Sequence, residues 1–292
     1  MVTVIFFLFN ILPGDPARMM LDQREDTEQL ANIRKKYGFD QPVSVQYLYY
    51  LNDLSPISFH SRNPQNYTFL DDDKYSYTQL FLIGDRTIVF KYPYLRKSFQ
   101  KNVKNVSEVI AETLPNTAIL AISAITIAII IGVFFGILSA LYKDTFFDRF
   151  ISVVSTLGMS VPSFFSAILF AWLFVFVWRK YTHLNLTGSL YEVDDFGQHI
   201  YIQWKNLILP SVVLGIRPLA VVIQLMRNSL LEVLNQDYIR TAKAKGLSIF
   251  KIIKMHALKN ALNPVVTAVS GWFASLLAGA VFVEYIFNWN GL

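Results

Sequence analysis

Residues 117–141 read TAILAISAITIAIIIGVFFGILSAL, twenty-five positions without a charge. About 20 apolar residues in a helix cross a bilayer core of about 30 Å, so this stretch alone places the chain among membrane-spanning proteins. Working outward, 150–178 gives a second uncharged run, and 261–283 a third. A further run, 207–226, carries one charge, Arg217. These are four full spans. Residues 2–12 are apolar but cover only roughly half the core at about 1.5 Å per residue. They read as the back half of a first span whose front lies outside this chain.

The whole composition agrees. Of 292 residues 53% are hydrophobic and 16% charged, and mean hydropathy is +0.38, against about 25% charged residues in soluble domains. Cysteine is absent, which excludes disulfide scaffolds and thiolate chemistry. The net charge of +5 is not a nucleic-acid footprint, because its location follows a membrane rule. The polar region 13–116 holds 13 basic and 13 acidic residues. The short loops 142–149 and 227–260 together hold nine basic residues, against three in 179–206. The positive-inside rule then puts the first two loops in the cytoplasm and 13–116 outside.

The polar region is partly legible. Residues 27–37 suit a helix with Asp26 as N-cap and Gly38 as its stop, and 42–54 suit another with Pro42 at its first position. Segments 79–83 and 87–91 around Gly84-Asp85-Arg86 predict a hairpin. Segment 55–66, rich in Ser, Pro and Asn, reads as loop, and 103–112 leads helically through Pro115 into the next span.

None of the four spans holds an Asp, Glu or His. Ion-coupled carriers and intramembrane proteases need such groups. No Gly-x-x-x-x-Gly-Lys-Ser/Thr loop occurs, and His60, His183, His199 and His256 lack metal-ligand spacing. No catalytic set, cofactor site or metal site is expected, and energy for active transport must come from a partner. Two other classes stay open on these residues: a passive channel or receptor-like membrane protein with an extracytoplasmic domain, and, less well supported, a membrane enzyme.

Attention therefore falls on 235–264, NQDYIRTAKAKGLSIFKIIKMHALKNALNP. Asp237 can cap a helix over 238–245, and Gly246 can end it in the left-handed region. Ser248 can cap a second helix whose Ile249, Ile252, Ile253 and His256 form one stripe. A helix, a glycine corner and an amphipathic helix make a knuckle. On physics alone it suits a groove on another protein and the headgroup surface of a membrane equally.

At these residues the sequence resembles the coupling loop of binding-protein-dependent ABC importer permeases, in the dipeptide/oligopeptide/nickel branch. Arg240-Thr241-Ala242 stand where that family has Glu-Ala-Ala. Gly246 and Leu258 match, and His256 and Lys259 depart in the way typical of the branch. Further similar stretches are Leu12-Pro13-Gly14-Asp15-Pro16, Tyr37-Gly38-Phe39-Asp40-Gln41-Pro42, Glu112-Thr113-Leu114-Pro115-Asn116-Thr117, Ser160-Val161-Pro162-Ser163-Phe164 and Gly279-Ala280-Val281-Phe282-Val283-Glu284. Residues 55–94 have no counterpart and read as an insertion.

The resemblance implies an all-α polytopic fold, the type I importer transmembrane domain, with the sixth span absent here. It divides the chain into a partial first helix (1–12), an extracytoplasmic α+β region (13–116) and a permease domain (117–292) with its coupling loop at 228–260. It implies a bacterial inner-membrane permease subunit for peptides or related small solutes. The subunit would be non-enzymatic and cofactor-free, and would pair with a second permease, two cytoplasmic ABC ATPases and an extracytoplasmic solute-binding protein. The ATPase-coupling residues are then Asp237, Tyr238, Arg240, Thr241, Ala242, Lys243, Lys245, Gly246, His256 and Leu258. The small Ala242 is expected to let the helix sit deep in the ATPase groove.

Pro162, Ser163 and Arg217 are candidates for the translocation path. Pro162 is expected to kink its span, and satisfaction of the freed backbone by Ser160 and Ser163 is preferred over path lining. Arg217 either attracts a peptide carboxylate or gates the path. The plainer reading is preferred: it bonds carbonyls freed by Pro210 or Pro218, or pairs with the partner permease. Gly132-x-x-x-Gly136 fits close helix packing, although glycine is common enough in membrane helices for chance to explain it.

Overall fold

The computed structural model describes residues 1–11, 27–64, 66–72, 74–98, 104–194 and 199–292. The Leu12–Pro16 motif and the Asp26 cap lie outside the described residues. The chain divides into two compact units, Met1–Ala111 and Glu112–Leu292.

The first unit holds α1 (Val2–Ile11), α2 (Thr27–Tyr37) and α3 (Val43–Leu54), followed by β1 (Ile57–Ser61), β2 (Tyr77–Ile83) and β3 (Arg86–Lys91). Pro42 precedes α3 as its N-cap rather than opening it. The expected hairpin forms: β2 and β3 pair antiparallel through a tight turn in which Gly84 has φ +61°. Segment 55–66 is not all loop, since β1 pairs with the other edge of β3, Ile57 opposite Phe90. The reason it escaped reading is an inverted pattern. Ile57 and Phe59 face out while Ser58 and His60 are buried, so polarity points the wrong way for a half-buried strand. The buried face is polar. Asp53 accepts from the Tyr75 hydroxyl at 2.7 Å and from Arg96 Nε at 2.9 Å, and Lys91 Nζ donates to the Asp53 carbonyl. Burial pulls Lys91 below the usual lysine range and pushes Tyr75 up.

The second unit is built around α4 (Val106–Leu141, which begins in the first unit), α5 (Phe146–Ser160), α6 (Ser163–Ala171), the short α7 (Arg179–Thr182) and α8 (Trp204–Leu234). After these come α9 (Asp237–Ala244), α10 (Ile249–Ile252), α11 (Leu258–Ala261), α12 (Asn263–Gly279) and α13 (Val281–Phe287). A small hairpin, β4 (Tyr191–Val193) with β5 (Ile200–Ile202), lies in the 179–206 loop. Among the described residues α4 and α8 are long and apolar enough to cross a membrane, and the number rises to four if each of two bent pairs is one span.

One of those pairs corrects the expected kink at Pro162. The chain turns through 111° between α5 and α6, a break rather than a bend. Val161 is extended, and Pro162 caps α6 with φ −61° and ψ 143°. Proline both denies a helical N–H and drives the residue before it out of the helical region, and here the two effects end one helix and start another. Ser160 Oγ donates to the Thr156 carbonyl at 2.9 Å, one turn back inside α5, and not to the Gly158 carbonyl that Pro162 frees, which corrects the expected role of Ser160. Pro115 interrupts nothing, and α4 runs through it.

Gly132 and Gly136 are not chance. A Cβ on Gly132 would stand 2.7 Å from Val222 Cγ1, and one on Gly136 would stand 2.6 Å from Met226 Cβ. The two glycines let α4 and α8 approach at backbone distance. Gly136→Val is expected to lower the thermal unfolding midpoint of the detergent-purified permease, because overpacking costs about 1–3 kcal/mol. An unchanged midpoint would refute the close-packing role.

Candidate functional site

The knuckle begins where α8 ends. Asn235 closes that helix by donating its side-chain amide to the Leu231 carbonyl at 2.9 Å. Gln236 is extended and stands at the N-cap of α9 without a side-chain bond. Asp237 is therefore not the cap. It is the first helical residue, where a carboxylate favours the positive end of the helix dipole, and its Oδ1 accepts from Arg240 Nη1 at 3.3 Å on the open surface.

The far end of α9 follows the sequence closely. Gly246 has φ +78°. Its N–H bonds the Lys243 carbonyl at 2.9 Å, and the Leu247 N–H reaches the Ala242 carbonyl at 3.4 Å. These are the two crossed bonds of a Schellman termination, which requires a left-handed residue at this place. Leu247 packs on the same core as Ala242, supplying the apolar contact that accompanies the motif. A Cβ on Gly246 would meet nothing within 4 Å, so the glycine answers to backbone angle and not to crowding.

Beyond the corner Ser248 occupies the N-cap position with extended backbone, but its hydroxyl makes no capping bond. Helix α10 widens into a π-helical turn over Ile253–Ala257 before α11. That turn inserts an extra residue and rotates the register. The buried stripe becomes Ile252, Ile253, Ala257, Ala261 and Val265. The expected stripe is corrected at both ends, because Ile249 is half exposed and His256 turns outward.

Ile239, Ala242, Ile252, Ala257 and Ala261 form one core with Val222, Met226 and Leu230 of α8, Val265 of α12 and Ala140 of α4. Ala242 is 6% exposed, and Leu258 packs partly buried on the same core. Neither presents itself outward, which corrects the expectation that Ala242 seats the helix in a foreign groove. Its smallness serves contact with the chain's own helices. The outward face is Tyr238, Arg240, Thr241, Lys243, Lys245 and Gly246, all exposed. Tyr238 accepts from Asn260 Nδ2 at 2.9 Å, tying α9 to α11. Phe250 and Met255, 74% and 62% exposed, add two apolar knobs that the sequence reading passed over because they lie off the stripe.

The path candidates are not joined by any bond among the described residues. Pro162 is exposed and Ser163 half-buried. Arg217 is exposed midway along α8 and has no hydrogen bond or ion pair among the described residues. The preferred bond to carbonyls freed by Pro210 or Pro218 is absent. Both prolines are buried inside an unbroken α8.

Two buried polar groups went unread. Asp148, 2% exposed, accepts from Arg227 Nε at 2.6 Å and Nη2 at 2.7 Å, from the Asp144 N–H at 2.9 Å and from the Ser139 hydroxyl. The sequence counted Arg227 as a free loop charge. In the structure α8 extends past it and α5 brings Asp148 to it. The second is Glu284, 4% exposed, which accepts from Thr117 Oγ1 at 2.6 Å while Asn116 Nδ2 donates to the Asn290 carbonyl at 2.8 Å. Both follow recognisable span edges, but nothing local announces their partners.

Residues 132–292 match the family described as binding-protein-dependent transport system inner membrane component, and residues 1–65 match the N-terminal region of such membrane components. The chain is similar to the dipeptide transport system permease protein DppB of Alkalihalophilus pseudofirmus, at 33% identity over 305 residues covering 100% of this chain and 80% of that protein. It is 30% identical to DppB of Bacillus subtilis over 290 residues, 99% of this chain and 77% of that one. It is 30% identical to the glutathione transport system permease protein GsiC of Salmonella typhimurium over 292 residues, 100% and 78%.

Proposed function

This chain belongs to the binding-protein-dependent transport system inner membrane components, the permease subunits of ATP-driven importers whose ATP is hydrolysed in separate subunits, and on that premise we propose what it carries and how it is driven. Its cargo is a peptide or a peptide-like small solute, as the names of its relatives have it. It pairs with a second permease, and two ATPases engage the pair from the cytoplasm. Residues 13–116, including the 55–94 insertion, lie on the outer side and receive the solute-binding protein. Residues 1–12 belong to a first span. Residues 117–292 form the transport domain, whose coupling loop spans 228–260.

The knuckle centred on Arg240–Gly246 is the coupling element. When ATP draws the ATPases together, each presses its knuckle, and α8 and α12 tilt to switch the path from inward- to outward-facing. One observation carries this reading: the inner face of the knuckle shares a single apolar core with α8, α12 and α4, while its outer face is basic and exposed. A close-packed interior transmits displacement instead of absorbing it. The contact is therefore assigned to Tyr238, Arg240, Thr241, Lys243, Lys245 and the Gly246 corner, with Asp237 and His256 at the rim, and Ala242 and Leu258 act from inside. The basic side chains suit acidic residues around the groove.

The chain has no cysteine, so a single introduced thiol reports its own surroundings. Lys243→Cys in the assembled transporter is expected to capture an ATPase subunit with a short thiol-to-amine cross-linker. Lys205→Cys, exposed at the opposite end of α8, is expected not to. Equal capture from both, or none from Lys243→Cys, defeats the proposal.

A further inference from the structure

An exposed guanidinium lies midway along a helix long and apolar enough to span the membrane, and no ion pair among the described residues neutralises it. Arg217 lies nine or ten residues from either end of the apolar run 207–226, about 15 Å from each at about 1.5 Å per residue. That is too deep for its head to snorkel to water cheaply. An intramembrane charge of this kind faces either another protein or an aqueous path.

The packing of α8 narrows the choice. Gly215, Val222 and Met226 face α4, where Gly215 approaches the Ala124 carbonyl and the other two lie against Gly132 and Gly136. Ile216 and Ala220 face Gly158 of α5. Arg217 is one step of about 100° further round, past α5, and is exposed. Gln224 lies two turns on along the same face and donates to Thr156 Oγ1 at 3.3 Å. Thr156 belongs to a hydroxyl stripe, Ser152, Thr156 and Ser160, at i, i+4 and i+8 of α5.

The two helices run antiparallel, with Asp148 beside Arg227 and Gly158 beside Ile216. That register brings Ser160 and the break at Val161-Pro162 to the level of Arg217. Of the large exposed apolar residues of α5, Val154 and Leu157 stand on another side of that helix, and Val153 lies beside Ser160 at the edge of the stripe. The Arg217 face is thus bordered by hydroxyls, an amide and an interrupted helix, with one valine at its edge, a lining that suits a wet path better than a lipid contact.

We propose that Arg217 is the fixed cation of the translocation path and receives a carboxylate of the solute as it passes the α5–α6 break. The inference rests on the transport function proposed above and adds the ligand class: solutes bearing a free carboxylate. A guanidinium offers two parallel N–H donors to one carboxylate, and the pair strengthens in a low-dielectric passage. Pro162 and Ser163 sit at the break and give that passage its shape.

The test uses the complete transporter in proteoliposomes, with a free-acid dipeptide and its C-terminal amide each supplied as a preformed complex with the binding protein. Arg217→Gln is expected to lower uptake of the free acid about tenfold, a difference of about 1.4 kcal/mol, and uptake of the amide by less than about twofold. Arg217→Lys, which keeps the charge, restores most of the free-acid uptake. An equal loss for both peptides, or loss of the second permease from the purified Arg217→Gln complex, overturns the assignment and makes the residue an interface charge. Unchanged uptake of both also overturns it. A wild-type assembly that carries neither peptide defeats instead the transport reading on which this one rests.

Discussion

Replacing Gly246 with valine is expected to uncouple the transporter: the complex assembles, ATP is still hydrolysed, and solute uptake per ATP falls by an order of magnitude or more. The corner requires φ near +78°, a region a β-branched residue enters only at a cost of about 1–3 kcal/mol. Beyond the adjacent residues no atom lies within 4 Å of the position a Cβ would take, so the effect comes from local backbone strain and not from a clash with a neighbouring element. The chain relieves the strain by giving up the crossed bonds to Lys243 and Ala242, and α9 then no longer holds a fixed angle to α10. A knuckle that yields under load transmits no displacement. Gly246→Asn is the control, because asparagine tolerates the left-handed region best among the larger residues, and it is expected to keep most of the coupling. The measurement is solute accumulated per ATP hydrolysed in proteoliposomes. Normal substrate-stimulated hydrolysis and normal uptake in Gly246→Val would remove the knuckle from the mechanism.

The second large effect is on stability. Arg227→Met leaves Asp148 buried with its strongest partner gone, and the permease is expected to lose about 3–5 kcal/mol. Asp148 has a side chain 3% exposed and a bidentate bond to a guanidinium 21% exposed, so solvent screening recovers little of the loss. The Asp144 N–H and Ser139 hydroxyl that remain cannot replace a full positive charge. The paired change Asp148→Asn with Arg227→Met removes the uncompensated charge and is expected to regain much of the loss, although the pair itself adds little over a neutral replacement. Thermal unfolding of the purified permease in detergent reads both variants. A double variant no more stable than Arg227→Met alone would mean that charge burial is not the source of the effect.

Much was legible because it is local. The apolar runs forecast α4 and α8, the Gly84 turn forecast its hairpin, and Gly246 forecast the corner together with its φ. Each depends on a few consecutive residues and on backbone sterics that act within a turn. Where the reading failed, a non-local preference or a small change of register intervened. The stripe expected through Ile249 and His256 assumed an unbroken 3.6-residue period, and the π-helical turn at Ile253–Ala257 shifted it onto Ala257 and Ala261. β1 was hidden because its buried residues are polar, Ser58 bonding His60 and His60 the Thr68 carbonyl, so its alternation runs opposite to that of a half-buried strand.

The sequence by itself determined that this is a membrane permease subunit, where its apolar runs lie, and that its basic loop carries a helix, a left-handed glycine corner and a second helix. These follow from hydropathy summed over a span and from the few conformations that glycine and proline impose on their neighbours. Tertiary structure alone decided that Ala242 faces inward, that the turn at Pro162 opens to 111°, that Arg227 finds Asp148 seventy-nine residues away, and that Arg217 finds no partner among the described residues. The physical reason is that periodicity and propensity act within a turn or two. Which charge meets which, and which face of a helix is left uncovered, depends on how whole helices pack, and no window of sequence contains that information.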